Sequence, residues 1–146
     1  MGLVAAQVHM RRVNLRDLDL ATAGVEGHDS ARWLAAFPFT EDAPGPTEAE
    51  SGSLSVVYNE LEPGARLGTH RDGTDEALLV LAGRLRVSVG EETDTAGPDD
   101  LVLIPSGVPH SVENVGEETA RMLGCFGART VESTFEGTVV PLDSDS

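Results

Sequence analysis

From Ser53 to the C-terminus the chain alternates between short runs of strand-forming residues and tight turns rich in glycine and proline. The runs include SLSVVYNEL (Ser53–Leu61), ALLVLA (Ala77–Ala82), RLRVSV (Arg84–Val89), LVLI (Leu101–Ile104), HSVEN, TARMLGCF and STFEGTVV. Each is too short for a core helix, and the spacing leaves no room for helical crossovers between parallel strands. The expectation is an all-β, antiparallel sandwich or barrel. Within RLRVSV, Leu85, Val87 and Val89 should face the core while Arg84, Arg86 and Ser88 face out. Leu54, Val56 and Tyr58 should share one face of their strand, and LVLI reads as a buried strand.

The first fifty residues have a different character. VNLRDLDL (Val13–Leu20) alternates apolar and polar side chains and reads as a short docking strand. Ser30 precedes ARWLAAFPF, where it could cap a short helical turn ended by Pro38. Thr40–Gly52 is a polar loop rich in proline, glycine and glutamate. The division that follows is residues 1–52 as an N-terminal arm and loop, 53–142 as a barrel and 143–146 as a disordered tail.

Acidic residues number 25 against 10 basic ones, a net charge of −15, and every basic residue is arginine. That charge repels nucleic acid and anionic membranes, so neither is an expected partner. No apolar run approaches the roughly 18–20 residues of a membrane helix, and the start is a poor signal peptide. The single cysteine, Cys125, excludes an internal disulfide and suits a cytoplasmic setting. Many acids, no lysine and few aromatics suggest a halophilic protein, because molar salt screens acidic self-repulsion to about 3 Å. Its melting temperature should therefore rise with added KCl, a trend that thermal unfolding from low to molar salt would test.

Two segments carry candidate chemistry. In PGARLGTHRDGTDEALLVLAG (Pro63–Gly83), His70 and Asp72 are two apart on an extended stretch, so they leave the same face. Glu76 follows a turn containing Gly73 and opens the next strand. In PSGVPHSVEN (Pro105–Asn114), His110 opens a strand after a Pro-Gly turn. These four side chains could converge on one divalent transition metal ion: Fe, Mn, Zn, Ni or Co.

The two segments resemble the paired motifs of the cupin superfamily. Gly64, His70, Glu76 and Gly83 match the first with every spacing kept, and Pro105, Gly107, His110 and Asn114 match the second. Two departures stand out. Asp72 occupies the place of the first motif's second histidine, and Asp99 replaces the glycine that usually leads the second motif. The resemblance implies a double-stranded β-helix, or jelly-roll barrel, here with a short N-terminal arm. It also implies that His70, Glu76 and His110 sit at metal-ligand positions. Asp72 is either a fourth ligand or a solvated turn residue. A homodimer is expected from the arm and the open sheet edges.

Small cupins include oxygenases, lyases, isomerases and plain ligand binders, so the resemblance leaves the chemistry open. The leading expectation is a metal-dependent oxygenase acting on a small organic molecule, with Glu76 as ligand or catalytic base. The alternatives are a non-catalytic binding module and a redox-neutral lyase or isomerase. Tyr58, Arg66, Arg71, Arg86 and Arg121 are candidates for the barrel mouth, though each also suits an ordinary strand position. Trp33 and Phe37 are expected to pack the arm, Cys125 to be a buried inert thiol, Asp75 a turn residue and Asn114 a structural strand end.

Overall fold

The computed structural model describes residues 10, 12–39 and 53–142. Among these residues, twelve strands form two antiparallel sheets packed face to face. In chain order they are β1 (Ala21–Val25), β2 (His28–Ala36), β3 (Ser55–Leu61), β4 (Arg66–Asp72), β5 (Glu76–Ala82) and β6 (Leu85–Val89). They continue with β7 (Glu92–Ala96), β8 (Leu101–Ile104), β9 (His110–Asn114), β10 (Ala120–Phe126), β11 (Ser133–Phe135) and β12 (Val139–Pro141). One sheet has the order β12-β1-β2-β3-β10-β5-β8 and the other β11-β4-β9-β6-β7. Among the described residues no helix is long and apolar enough to cross a membrane.

Period-two alternation builds the core. Leu85 and Val87 are buried while Arg86 is exposed, and Leu78 and Val80 on β5 point the same way. Val57, Leu61, Ile104, Val112 and Met122 join them between the sheets. Tyr58 is fully buried on the opposite face of β3, in a second cluster with Leu18 and Ala36. Leu54, Val56 and Tyr58 thus lie on the outer face of the sheet, and Ser55, Val57, Asn59 and Leu61 line the inner one.

Four local expectations are corrected. Val13–Leu20 is not a strand: Asn14 accepts a hydrogen bond from the Arg16 amide and caps a 3₁₀ turn over Leu15–Asp17. Leu15, Leu18 and Leu20 still pack on the outer sheet face. Ser30 caps no helical turn, because residues 28–36 form β2. Ala31, Trp33 and Ala35 are buried in alternation and pairing with β1 and β3 satisfies the backbone, which outweighs the weak local cap signal. LVLI is an edge strand, with Leu101 and Leu103 exposed at 68% and 67% and only Ile104 fully inside. Cys125 is exposed, not buried, because it falls on the outer face of β10 opposite Ala77. The Thr40–Gly52 loop and the 143–146 tail lie outside the described residues.

The motif residues act through backbone geometry. Gly64, Gly83 and Gly107 all have positive φ, at 82°, 93° and 79°. At Gly83 an added Cβ would strike the Ala120 backbone at 2.7 Å. Asp99 takes the same left-handed conformation with φ 74°, which explains why glycine is usual there. Replacing Asp99 with glycine should raise stability by about 0.5–1 kcal/mol, read as a higher melting temperature. Asn114 is structural, as expected. Its amide donates to the carbonyls of Leu61 and Glu118, and its Oδ1 accepts from the Gly116 amide.

Candidate metal centre

The site forms where one sheet hands the chain to the other. β4 carries His70 and Asp72 inward from the five-stranded sheet, and β5 begins the seven-stranded sheet with Glu76. The intervening turn is stitched to the second motif. Asp75 Oδ1 accepts from the Ser106 amide at 2.8 Å, and the Gly107 amide donates to the Asp72 carbonyl at 2.9 Å. Asp75 is therefore a turn residue whose partner is the other motif. His110 pairs directly across from His70 in the β4–β9 ladder, with ring centroids 4.2 Å apart.

All four candidate side chains are buried. Ligand-type atoms of His70, Asp72 and His110 lie within 4.8 Å of one another, a grouping that could hold a metal ion. Asp72 thus faces the two imidazoles and is no solvated turn residue. Its Oδ2 is 3.7 Å from His70 Nε2 and 3.3 Å from His110 Nε2. Glu76 stands beside the group, with Oε1 3.6 Å from His110 Nε2. Its other oxygen lies over Gly124, where any added Cβ would overlap it. Glycine at 124 is what leaves room for this carboxylate.

Both imidazoles are oriented from behind. His70 Nδ1 is 2.8 Å from the Gly68 carbonyl, and His110 Nδ1 is 2.9 Å from the Val108 carbonyl. A carbonyl only accepts, so each Nδ1 donates, and each neutral ring presents a bare Nε2 lone pair to the centre. Asp72 Oδ2 and His110 Nε2 are buried with no aligned hydrogen-bond partner. Lone pairs of imidazole and carboxylate thus converge in a space that lacks donors. A cation, either a proton or a metal ion, would satisfy that arrangement. The donor set of nitrogen and oxygen suits a divalent transition metal.

The electrostatics without metal follow from the same crowding. Burial works against a charged His110, but Asp72 and Glu76 overcome it and hold its pKa at about 9. Burial and the neighbouring His110 push His70 below its ordinary value. Burial and then the Asp72 charge raise Glu76, despite His110. Burial alone would raise Asp72, yet the adjacent His110 imidazole and the hydrogen bond from Ser133 leave it lowered.

Several expectations about other residues are resolved. Tyr58 and Arg121 face away from the centre: Arg121 Nε donates to the Tyr58 hydroxyl, which donates to Glu60, both at 2.7 Å. Arg86 makes an exposed ion pair with Glu113. Trp33 packs in the core and stacks on Phe135, while Phe37 is 39% exposed. Sequence reasoning missed Ser133, Phe135 and Gly124. None belongs to either motif, and only strand pairing brings Ser133 and Phe135 beside β4.

The family model described as "Cupin domain" matches residues 57–126. A protein named polyketide synthase CurC from Streptomyces cyaneus is 34% identical over 76 residues, covering 51% of this chain and 48% of that protein. Oxalate decarboxylase OxdC from Bacillus subtilis is 35% identical over 95 residues, covering 60% of this chain and 24% of that one. The chain thus spans about half, or less, of the length of these curated relatives. Among solved structures, salicylate 1,2-dioxygenase from Pseudoaminobacter salicylatoxidans superposes with a TM-score of 0.61. That match has 18% identity and covers 73% of this chain and 29% of that one, a likeness of fold alone. The matched stretch, the two-sheet jelly roll and the two motifs that meet at the buried histidines identify a small cupin domain within this chain.

Proposed function

We propose that this cupin domain binds one divalent transition-metal ion through His70, Asp72 and His110, with Glu76 adjoining, and acts as an oxygenase on a small organic molecule. The convergence of two Nε2 lone pairs with the buried, unpartnered Asp72 Oδ2 carries this reading. Two histidines and one carboxylate on a single face make a ligand set suited to iron and O₂ chemistry. A bound ion would supply Lewis acidity and, for iron or manganese, one-electron chemistry. Glu76 is the residue placed to move protons. Its raised pKa lets it hold a proton or take one from a substrate beside His110.

That same carboxylic acid favours a second reading, a redox-neutral lyase or decarboxylase. The 35% identity with part of an oxalate decarboxylase supports it. Metal content by mass spectrometry, followed by O₂ uptake with diketones, flavonoids, thiols and oxalate, separates the readings. The expected result is one metal per chain and O₂ consumed with substrate. Turnover that persists without O₂ would favour the redox-neutral reading. Full metal occupancy with no turnover on any substrate would leave a ligand-binding module.

The proposed assembly is a homodimer through the outer face of the seven-stranded sheet. Leu101 pairs beside Leu79 and Leu103 beside Ala77, giving an apolar surface at an open edge. Leu103→Glu should shift the protein to monomer in sedimentation or light scattering. A wild type already monomeric at high concentration would rule the dimer out. The acidic, lysine-free composition fits a salt-rich cytoplasm as the working environment.

A further inference from the structure

All three residues of the tight group share one design: one polar atom is tied to the scaffold and the other points to the centre. For His70 and His110 the tie is a backbone carbonyl two residues earlier, that of Gly68 within β4 and that of Val108 in the turn before β9. Aspartate has no Nδ1–H to donate, so that local tie is closed to Asp72. Its anchor comes from 61 residues away, where the Ser133 hydroxyl donates to Asp72 Oδ1 at 2.5 Å. This leaves Oδ2 as the oxygen facing the histidines. We propose that Ser133 is the positioning residue that makes Asp72 a one-oxygen metal ligand, and that β11 is the element that sets the geometry of this site.

The rest of β11 supports that role. Ser133 pairs opposite Asp72 and Phe135 opposite His70, so both side chains reach the ligand face of β4. The Phe135 ring stacks on the His70 imidazole at 4.4 Å and 15°, and also with Trp33 at 5.3 Å and 5°. Backbone bonds hold the strand at both ends, from the Gly73 amide to the Glu132 carbonyl and from the Glu136 amide to the Thr69 carbonyl. β11 lies beyond residues 57–126, the stretch matched as a cupin domain. Two ligands of the proposed centre are thus held by a segment outside that stretch. A free carboxylate turns about its last torsion and can offer both oxygens to a metal. A donor fixed on Oδ1 removes that freedom.

This inference rests on the metal-binding reading above. The test is Co²⁺ titration of wild-type protein, Ser133→Ala and Ser133→Thr, read by calorimetry and by the visible Co²⁺ spectrum. Apo-protein circular dichroism serves as the folding control. Ser133→Ala should weaken Co²⁺ binding about 10–100-fold, the cost of losing a group that orients a ligand. Its visible bands should shift as the second Asp72 oxygen engages, and Ser133→Thr should restore both affinity and spectrum. A Ser133→Ala protein that folds and binds Co²⁺ with wild-type affinity and an unchanged spectrum overturns the role of Ser133 while leaving the metal site standing. A folded wild type that binds no Co²⁺ overturns the metal reading itself.

Discussion

Between pH 6.5 and pH 9 the metal-free protein should lose on the order of 3 kcal/mol of unfolding stability, while the metal-loaded protein should hold steady. The cause is His110, whose pKa is about 9 in the fold against 6.5 in a free chain. A group whose folded pKa is raised contributes stability that is fully present below the unfolded value. That contribution disappears as pH rises through the folded value. Glu76, also raised, changes with the same sign. His70 and Asp72 are lowered, so their contributions vanish on the acid side instead. A metal ion held there would take the place of that proton, so the loaded state would have no proton there to lose. The stabilisation given by a fixed concentration of metal should therefore grow from neutral to alkaline pH. Urea titrations of chelator-treated and reloaded protein at pH 6.5, 7.5 and 9 check this. Parallel pH profiles with and without metal would show that His110 does not face the bound ion.

Replacing His110 with alanine should weaken metal binding by more than the about 100-fold attributed to a merely supporting residue. It removes one Nε2 and also the positive partner that holds two buried carboxylates together. Without it Asp72 and Glu76 face one another across a donor-poor space, and one of them must take up a proton. Asp72→Ala should lose metal to a similar degree. Glu76→Gln should retain most of the affinity and lose turnover, because its oxygen lies outside the tight group. Competition titrations with a coloured chelator give the three affinities, and steady-state rates of the loaded proteins give the rest. If Glu76→Gln loses metal as fully as His110→Ala, Glu76 is a fourth ligand instead of the proton carrier.

The strands of the second half of the chain were legible because their cause is local. Alternation in Leu85–Val89 and the turn-forming Gly64, Gly83 and Gly107 are written into neighbouring residues. So were the His70, Glu76 and His110 positions, since motif spacing reflects strand length and turn type. The errors arose where a segment's state depends on what it lies beside. β2 looked like a capped turn until its pairing with β1 and β3 was known. β8 looked like a core strand because an apolar run does not say whether a sheet continues past it.

Asp72 marks the boundary most clearly. The sequence by itself determined that an aspartate stands where a cupin usually carries a histidine, two residues along a strand from His70. Strand alternation put both on one face. Only the tertiary structure decided that this aspartate looks inward and is held there by a serine 61 residues away. The reason is physical. A side chain's direction follows from the local backbone, but its partners follow from sheet register, and β11 meets β4 only once the whole barrel is assembled.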